Sequence, residues 1–178
     1  LKGTVLGIGY GMQEHTLAGR LGVTPLEAKN LIRRHQEAYP VFWEWSDSVC
    51  DRAMLTGQLS TELGWTLTLD AMSTINPRSL MNFPMQSNGA EMLRLACCLS
   101  IEDNLEIVAP VHDALAMVAP IYDLDTHTTR LLEHMQIASE IVLSGFTIRA
   151  EVEARVMHPD RYGNSSAGGM WETITGML

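Results

Sequence analysis

Leu105-Glu106-Ile107-Val108-Ala109-Pro110-Val111-His112-Asp113-Ala114-Leu115-Ala116-Met117-Val118 is the stretch on which the reading of this chain turns. Two apolar, strand-like halves meet at a polar corner, His112-Asp113. The pattern predicts a β-hairpin over 105–119 with that pair at its tip. A carboxylate held on a tight corner can keep a divalent metal in a fixed place, as phosphoryl transfer requires. Solvated turn chemistry also puts His and Asp at hairpin tips, so the pair takes its meaning from the rest of the chain.

Upstream of the hairpin, Asn76-Pro77 predicts the start of a long helix reaching about residue 101, with a kink at Pro84 inside it. Before that, residues 13–21 read as a short helix. Thr24-Pro25-Leu26-Glu27 is a strong helix start, with Thr as cap, Pro at the first helical position and Glu three residues after the cap. That helix should run to Tyr39 and end at Pro40. A further helix is expected from Val41 to Thr56, stopped by Gly57. Two short strand-like runs follow over 58–70, around Gly64. Downstream of the hairpin, Leu124, Leu131, Leu132, Met135, Ala138 and Val142 make Asp123 to Ser144 an amphipathic helix, stopped by Gly145. Phe146 to Val156 alternates loosely and predicts a strand; the tail reads as loop with a last short helix near Trp171. Helices first, then mixed strands and helices, predict an α+β fold with an antiparallel sheet.

With 178 residues, 46% of them hydrophobic and 19% charged, the chain can bury a real core. No apolar run approaches the length of a membrane span, and the opening residues do not read as a signal peptide, since Lys2 is followed by glycines rather than a long apolar stretch. Three cysteines do not make a disulfide framework, which fits a cytoplasmic protein with reduced thiols. The net charge of −9 argues against indiscriminate nucleic-acid binding but not against a local basic groove. The first residue is Leu1, and the chain is expected to open inside a structural element, as a fragment or one half of a split protein would.

Two candidate faces carry chemistry. Lys2, Leu6 and Tyr10 fall at i, i+4 and i+8, so a helix over 2–10 would line them up on one face. A cation, an apolar contact and an aromatic hydroxyl in a row suit a nucleoside triphosphate. The competing reading is a dinucleotide-binding glycine loop at Gly7 to Gly11. Its spacing is G-x-G-x-G, and a capped helix occupies 24–39 where a second strand ending in an acid is required. Arg78, Asn82 and Gln86 repeat the same spacing on the long helix. Arg suits phosphate or sugar, and the amides suit minor-groove acceptors.

Together these segments resemble family A DNA polymerases, the DNA polymerase I family. Lys2 to Met12 is similar to the back half of the fingers helix: Lys, three residues, an aromatic with Gly, two residues, then Tyr-Gly. Arg78-Ser79-Leu80-Met81-Asn82-Phe83-Pro84-Met85-Gln86 resembles the family's Arg…Asn…Pro-x-Gln helix, and Val111-His112-Asp113 resembles motif C. Leu26 to Pro40 fits the helices after the fingers helix, and Pro159-Asp160-Arg161-Tyr162-Gly163 is similar to phage-type members.

The resemblance implies helical fingers over 1–75, the C-terminal part of a palm with the motif C hairpin over 76–178, and template-directed DNA synthesis from dNTP on a primer 3′-hydroxyl. It implies that Lys2 meets the incoming triphosphate and protonates the leaving pyrophosphate, and that Tyr10 sits at the insertion site beside the templating base. Arg78 and Gln86 would touch the primer–template minor groove, with Asn82 ordering that region. Asp113 would bind Mg²⁺, and His112 would contact the primer end. Leu6 stands where the family has Phe or Tyr, so sugar discrimination is not carried over. Ala114 stands where an acid usually follows the motif C Asp. Motif A, with the second metal-binding aspartate, is missing, and one carboxylate does not hold two divalent ions. The expected partners are therefore primer–template DNA, dNTP and an N-terminal polymerase portion, in the same or a separate polypeptide, with no membrane. The alternative is a non-catalytic primer–template DNA-binding remnant.

Overall fold

Glycine at 3, 7 and 9 makes residues 2–9 a poor helix by propensity, yet they form helix α1 (Lys2–Gly9). Packing decides it: Ile8 is buried, in a cluster with Leu17, Ala18 and Ala28. Gly11, at φ +80°, ends the helix. Its N–H donates to Ile8 O at 2.8 Å and that of Met12 to Gly7 O at 2.9 Å, the bond pair of a left-handed glycine stop. The computed structural model describes residues 2–69 and 76–156. Within them the chain falls into two compact units, Leu1–Glu91 and Met92–Leu178, and the fold is α+β.

The first unit continues with α2 (Glu14–Leu21), α3 (Pro25–Ala38) and α4 (Pro40–Thr56). The predicted start of α3 is present in full. Thr24 Oγ1 accepts from Glu27 N, the Glu27 carboxylate accepts from Thr24 N, and Pro25 fills the first turn. The Thr24 hydrogen bonds hold the Glu27 carboxyl below its ordinary range. Gly57, in the left-handed region, stops α4. Strands β1 (Gln58–Ser60) and β2 (Thr66–Thr68) pair antiparallel with Leu59 opposite Leu67. Leu59 joins Val49, Ala53 and Leu80 in a second buried cluster.

Helix α5 (Pro77–Glu102) starts as the sequence predicts, with Asn76 Oδ1 accepting from Arg78 N at 3.0 Å. It runs on through Pro84 as one helix. Proline lacks an N–H, so the Leu80 carbonyl loses its usual donor. One turn on, the Ser87 hydroxyl donates to Phe83 O at 2.5 Å.

In the second unit, β3 (Glu106–Val111) and β4 (Ala114–Val118) form the expected hairpin, with an irregularity between Ile107 and Ala109. Asn104, at φ 60°, turns the chain out of α5 toward β3. Helix α6 (Leu124–Val142) buries Leu131, Ala138 and Val142. Arg130 binds both the carboxylate and the carbonyl of Asp103, and His134 Nδ1 lies 3.1 Å from Ser100 Oγ.

One prediction fails. Residues 146–156 form no strand. Period-two alternation makes a strand only when a neighbour takes up its ladder, and none does so among the described residues. Phe146 is accordingly 66% exposed. The helix expected near Trp171 and the motif at 159–163 lie outside the described residues.

Candidate functional site

The first candidate face forms because α1 is helical. Its last helical bond, from Tyr10 N to Leu6 O at 2.9 Å, carries the turn through Tyr10. Lys2, Leu6 and Tyr10 are therefore aligned by backbone spacing. A helix here also removes the dinucleotide reading, which needs a strand before the glycines.

Leu6 and Tyr10 remain 49% and 39% exposed, and they border a cavity of about 360 Å³. Gly9, His35, Phe42 and Met85 supply other parts of its wall. The volume falls in the range of small-molecule sites. His35 is not among the candidate residues read from the sequence. In the fold it is half-buried, and burial lowers its pKa from the ordinary histidine value. Trp43 Nε1 donates to His35 Nδ1 at 3.1 Å, so the ring is neutral with its proton on Nε2. The one available sign in the sequence was the crowding of aromatic residues from Tyr39 to Trp45; the rings of Tyr39 and Trp43 pack with His35, and Phe42 packs with Trp43 and Trp45.

The second face is close to the end of the first. Asn82 Nδ2 donates to Tyr10 O at 3.4 Å, while its Oδ1 is buried without a partner among the described residues. The aliphatic stem of Arg78 lies over Gly11, where a Cβ would come within 3.3 Å of Cγ. Glycine is thus required at position 11 twice, for its positive φ and for this approach. Arg78 and Gln86 are exposed. The structure therefore brings Tyr10, Arg78 and Asn82 together in the first unit.

His112 and Asp113 occupy the tip of the β3–β4 hairpin in the second unit. Val111 pairs with Ala114, so the loop is these two residues alone. A two-residue hairpin turn needs positive φ at its first position, and His112 adopts φ 55°. Histidine tolerates this region better than most side chains but not for free. Both tip residues are exposed, and Asp113 makes no ion pair among the described residues. An exposed, unpaired carboxylate at a fixed corner fits a role as one ligand of a divalent cation. Among the described residues no group of three His, Cys, Asp or Glu side chains is arranged to hold a metal, so other ligands would have to come from elsewhere.

Residues 1–159 match DNA polymerase family A. DNA polymerase I of Lactococcus lactis subsp. lactis is 25% identical over 155 residues, covering 80% of this chain and 18% of that protein. DNA polymerase I of Geobacillus stearothermophilus is 28% identical over 125 residues, covering 63% of this chain and 14% of that protein. Among solved structures, the POL domain of Pol1 from M. smegmatis, in complex with DNA primer-template and dNTP, superimposes with a TM-score of 0.69 at 25% identity. That match covers 77% of this chain and 26% of the other. The chain thus spans under a fifth of these two curated relatives. With the helix of Lys2 and Tyr10, the Arg78–Asn82–Gln86 helix and the His112-Asp113 hairpin all inside the matched span, the chain belongs to DNA polymerase family A.

Proposed function

We propose that this chain is the fingers and C-terminal palm portion of a template-directed DNA polymerase, with fingers over 1–75 and palm over 76–178. The observation that carries the reading is the two-residue turn that leaves the Asp113 carboxylate exposed beside a histidine at positive φ. In this reading Lys2 takes the triphosphate of the incoming dNTP and supplies the proton for the leaving pyrophosphate. Leu6 and Tyr10 face the nucleotide and the templating base, and their place on the cavity wall supports this. Arg78, Asn82 and Gln86 hold the primer–template minor groove, and His112 meets the primer end. Asp113 holds Mg²⁺, with a second carboxylate from a motif A outside this chain. Bound there, the metal supplies charge stabilisation at the reacting phosphate. The protein works in the cytoplasm, a setting that suits the free thiols of Cys50, Cys97 and Cys98.

The test is to supply an upstream segment carrying an Asp-x-Ser-x-x-Glu-like motif and measure primer extension, then repeat with Asp113→Asn. Extension by the native pair and its loss in the variant are expected; activity that survives Asp113→Asn overturns the metal assignment. Ala114, in place of the usual acid, favours a second reading, a DNA-binding remnant without chemistry. That reading expects duplex binding and no extension even with the upstream segment present.

A further inference from the structure

The chain carries one more aromatic side chain beside the proposed DNA face, and it is anchored with unusual care. Trp65 closes the turn between β1 and β2. It is 49% exposed and meets Phe83 edge-on, with ring centroids 6.3 Å apart. Among the described residues its indole N–H has no hydrogen-bond partner. Its backbone is held on both sides by Thr61: Trp65 N donates to Thr61 Oγ1 at 2.9 Å, and Thr61 N donates to Trp65 O at 2.9 Å. Thr61 in turn donates its hydroxyl to Glu91 Oε1 at 2.6 Å, and Leu63 N reaches Glu91 Oε2 at 3.4 Å. Glu91 is completely buried. A buried carboxylate is costly unless hydrogen-bonded, and an ordinary surface turn has no need of one.

The anchor sets where the indole lies. Phe83 is one residue past Asn82, roughly 100° round α5. That places it between the Arg78–Asn82–Gln86 stripe and the buried side, where Leu80, Ser87 and Glu91 lie. Trp65, packed on Phe83, therefore flanks the stripe.

We infer that Trp65 is a further DNA contact, its apolar face against the deoxyribose edges of the primer–template minor groove and its N–H donating to a base there, with Glu91 as the positioning residue. The chemistry matches: the minor groove presents acceptors at every base pair, and the indole is a donor only. This rests on the reading of the α5 stripe given above, and continuity with that stripe is what selects duplex DNA as the partner.

The test titrates fluorescein-labelled primer–template duplex with the full chain at several salt concentrations and follows anisotropy. Trp65→Ala should weaken binding about tenfold with no change in salt slope, because no phosphate contact is lost. Trp65→Phe keeps a ring against Phe83 and should recover part of the affinity. Glu91→Gln should weaken binding in the native background and have no effect in the Trp65→Ala background; a further loss there overturns the positioning role. Arg78→Ala reports on the stripe alone, by lower affinity and a salt slope smaller by about one. If both Trp65 variants bind as tightly as the native chain while Arg78→Ala binds more weakly, the inference is wrong and the stripe reading stands. If Arg78→Ala is also unchanged, or the native chain does not bind the duplex, both fall together.

Discussion

Between β1 and β2 the chain turns over residues 61–65, and the turn is held by Thr61, which bonds Trp65 N, and by the buried Glu91 carboxylate, which accepts from Thr61 Oγ1 and Leu63 N. Between β3 and β4 it turns over two residues, His112 at positive φ and Asp113, which has no ion-pair partner among the described residues. Each hairpin has a carboxylate at its turn. One is buried and holds the turn through Thr61 and Leu63; the other is exposed at the hairpin tip. A feature that strains a turn without local return points to chemistry, whereas a feature fully absorbed by its neighbours points to architecture.

The sharpest way to break this contrast is Asp113→Asn. Primer extension by the completed polymerase should fall by about 10³-fold or more, while the urea midpoint of the chain stays where it was. A large loss of stability would instead class Asp113 with Glu91. The converse change is Glu91→Ala, which strips the acceptor from Thr61 and Leu63 and leaves a hole in the first unit. It should cost about 2–4 kcal/mol by urea unfolding. A change below about 0.5 kcal/mol, the level of an ordinary surface site, would mean that the two turns are not different in kind.

His112 sharpens the comparison at smaller scale. His112→Val puts a β-branched residue at positive φ and should cost about 1–2 kcal/mol by thermal unfolding. His112→Gly, free of that strain, should stay within about 0.5 kcal/mol of the native chain while primer extension still falls. Equal stability of the two variants would show that the tip is not strained.

The smallest expected effect concerns acid. The Asp103 carboxyl is held below its ordinary range, chiefly by the hydrogen bond from Arg130 and against a smaller desolvation cost. A carboxyl depressed in the folded state adds stability that is complete above its unfolded pKa and is lost as pH falls through its folded pKa. Acidification from about pH 5 downward should therefore destabilise the native chain more than Arg130→Gln, as read from melting temperatures across pH. Parallel losses in the two proteins would remove Asp103 as a contributor.

Much of the fold was legible because its signals are local. The capping box at Thr24, the glycine stop at 57, the Asn76 start and the β3–β4 hairpin each depend on a few adjacent residues whose chemistry admits one arrangement. The strand predicted over 146–156 failed because a strand is not local: alternation supplies a face, but a partner must supply the ladder. The α1 and α5 faces were legible as spacings. Asn82 reaching the carbonyl of Tyr10 and His35 on the cavity wall were not, because each contact joins residues far apart in the chain.

Taken by itself, the sequence determined the order of most elements, the polar stripe on α5 and the hairpin tip, since backbone sterics and side-chain period act over a few residues. Only the tertiary structure decided that a glycine-rich opening segment is a helix, through burial of Ile8. Likewise it decided that Glu91 is an anchor and Asp113 an exposed carboxylate: two side chains of the same chemistry, separated by which one the fold surrounds with donors and which it leaves to solvent.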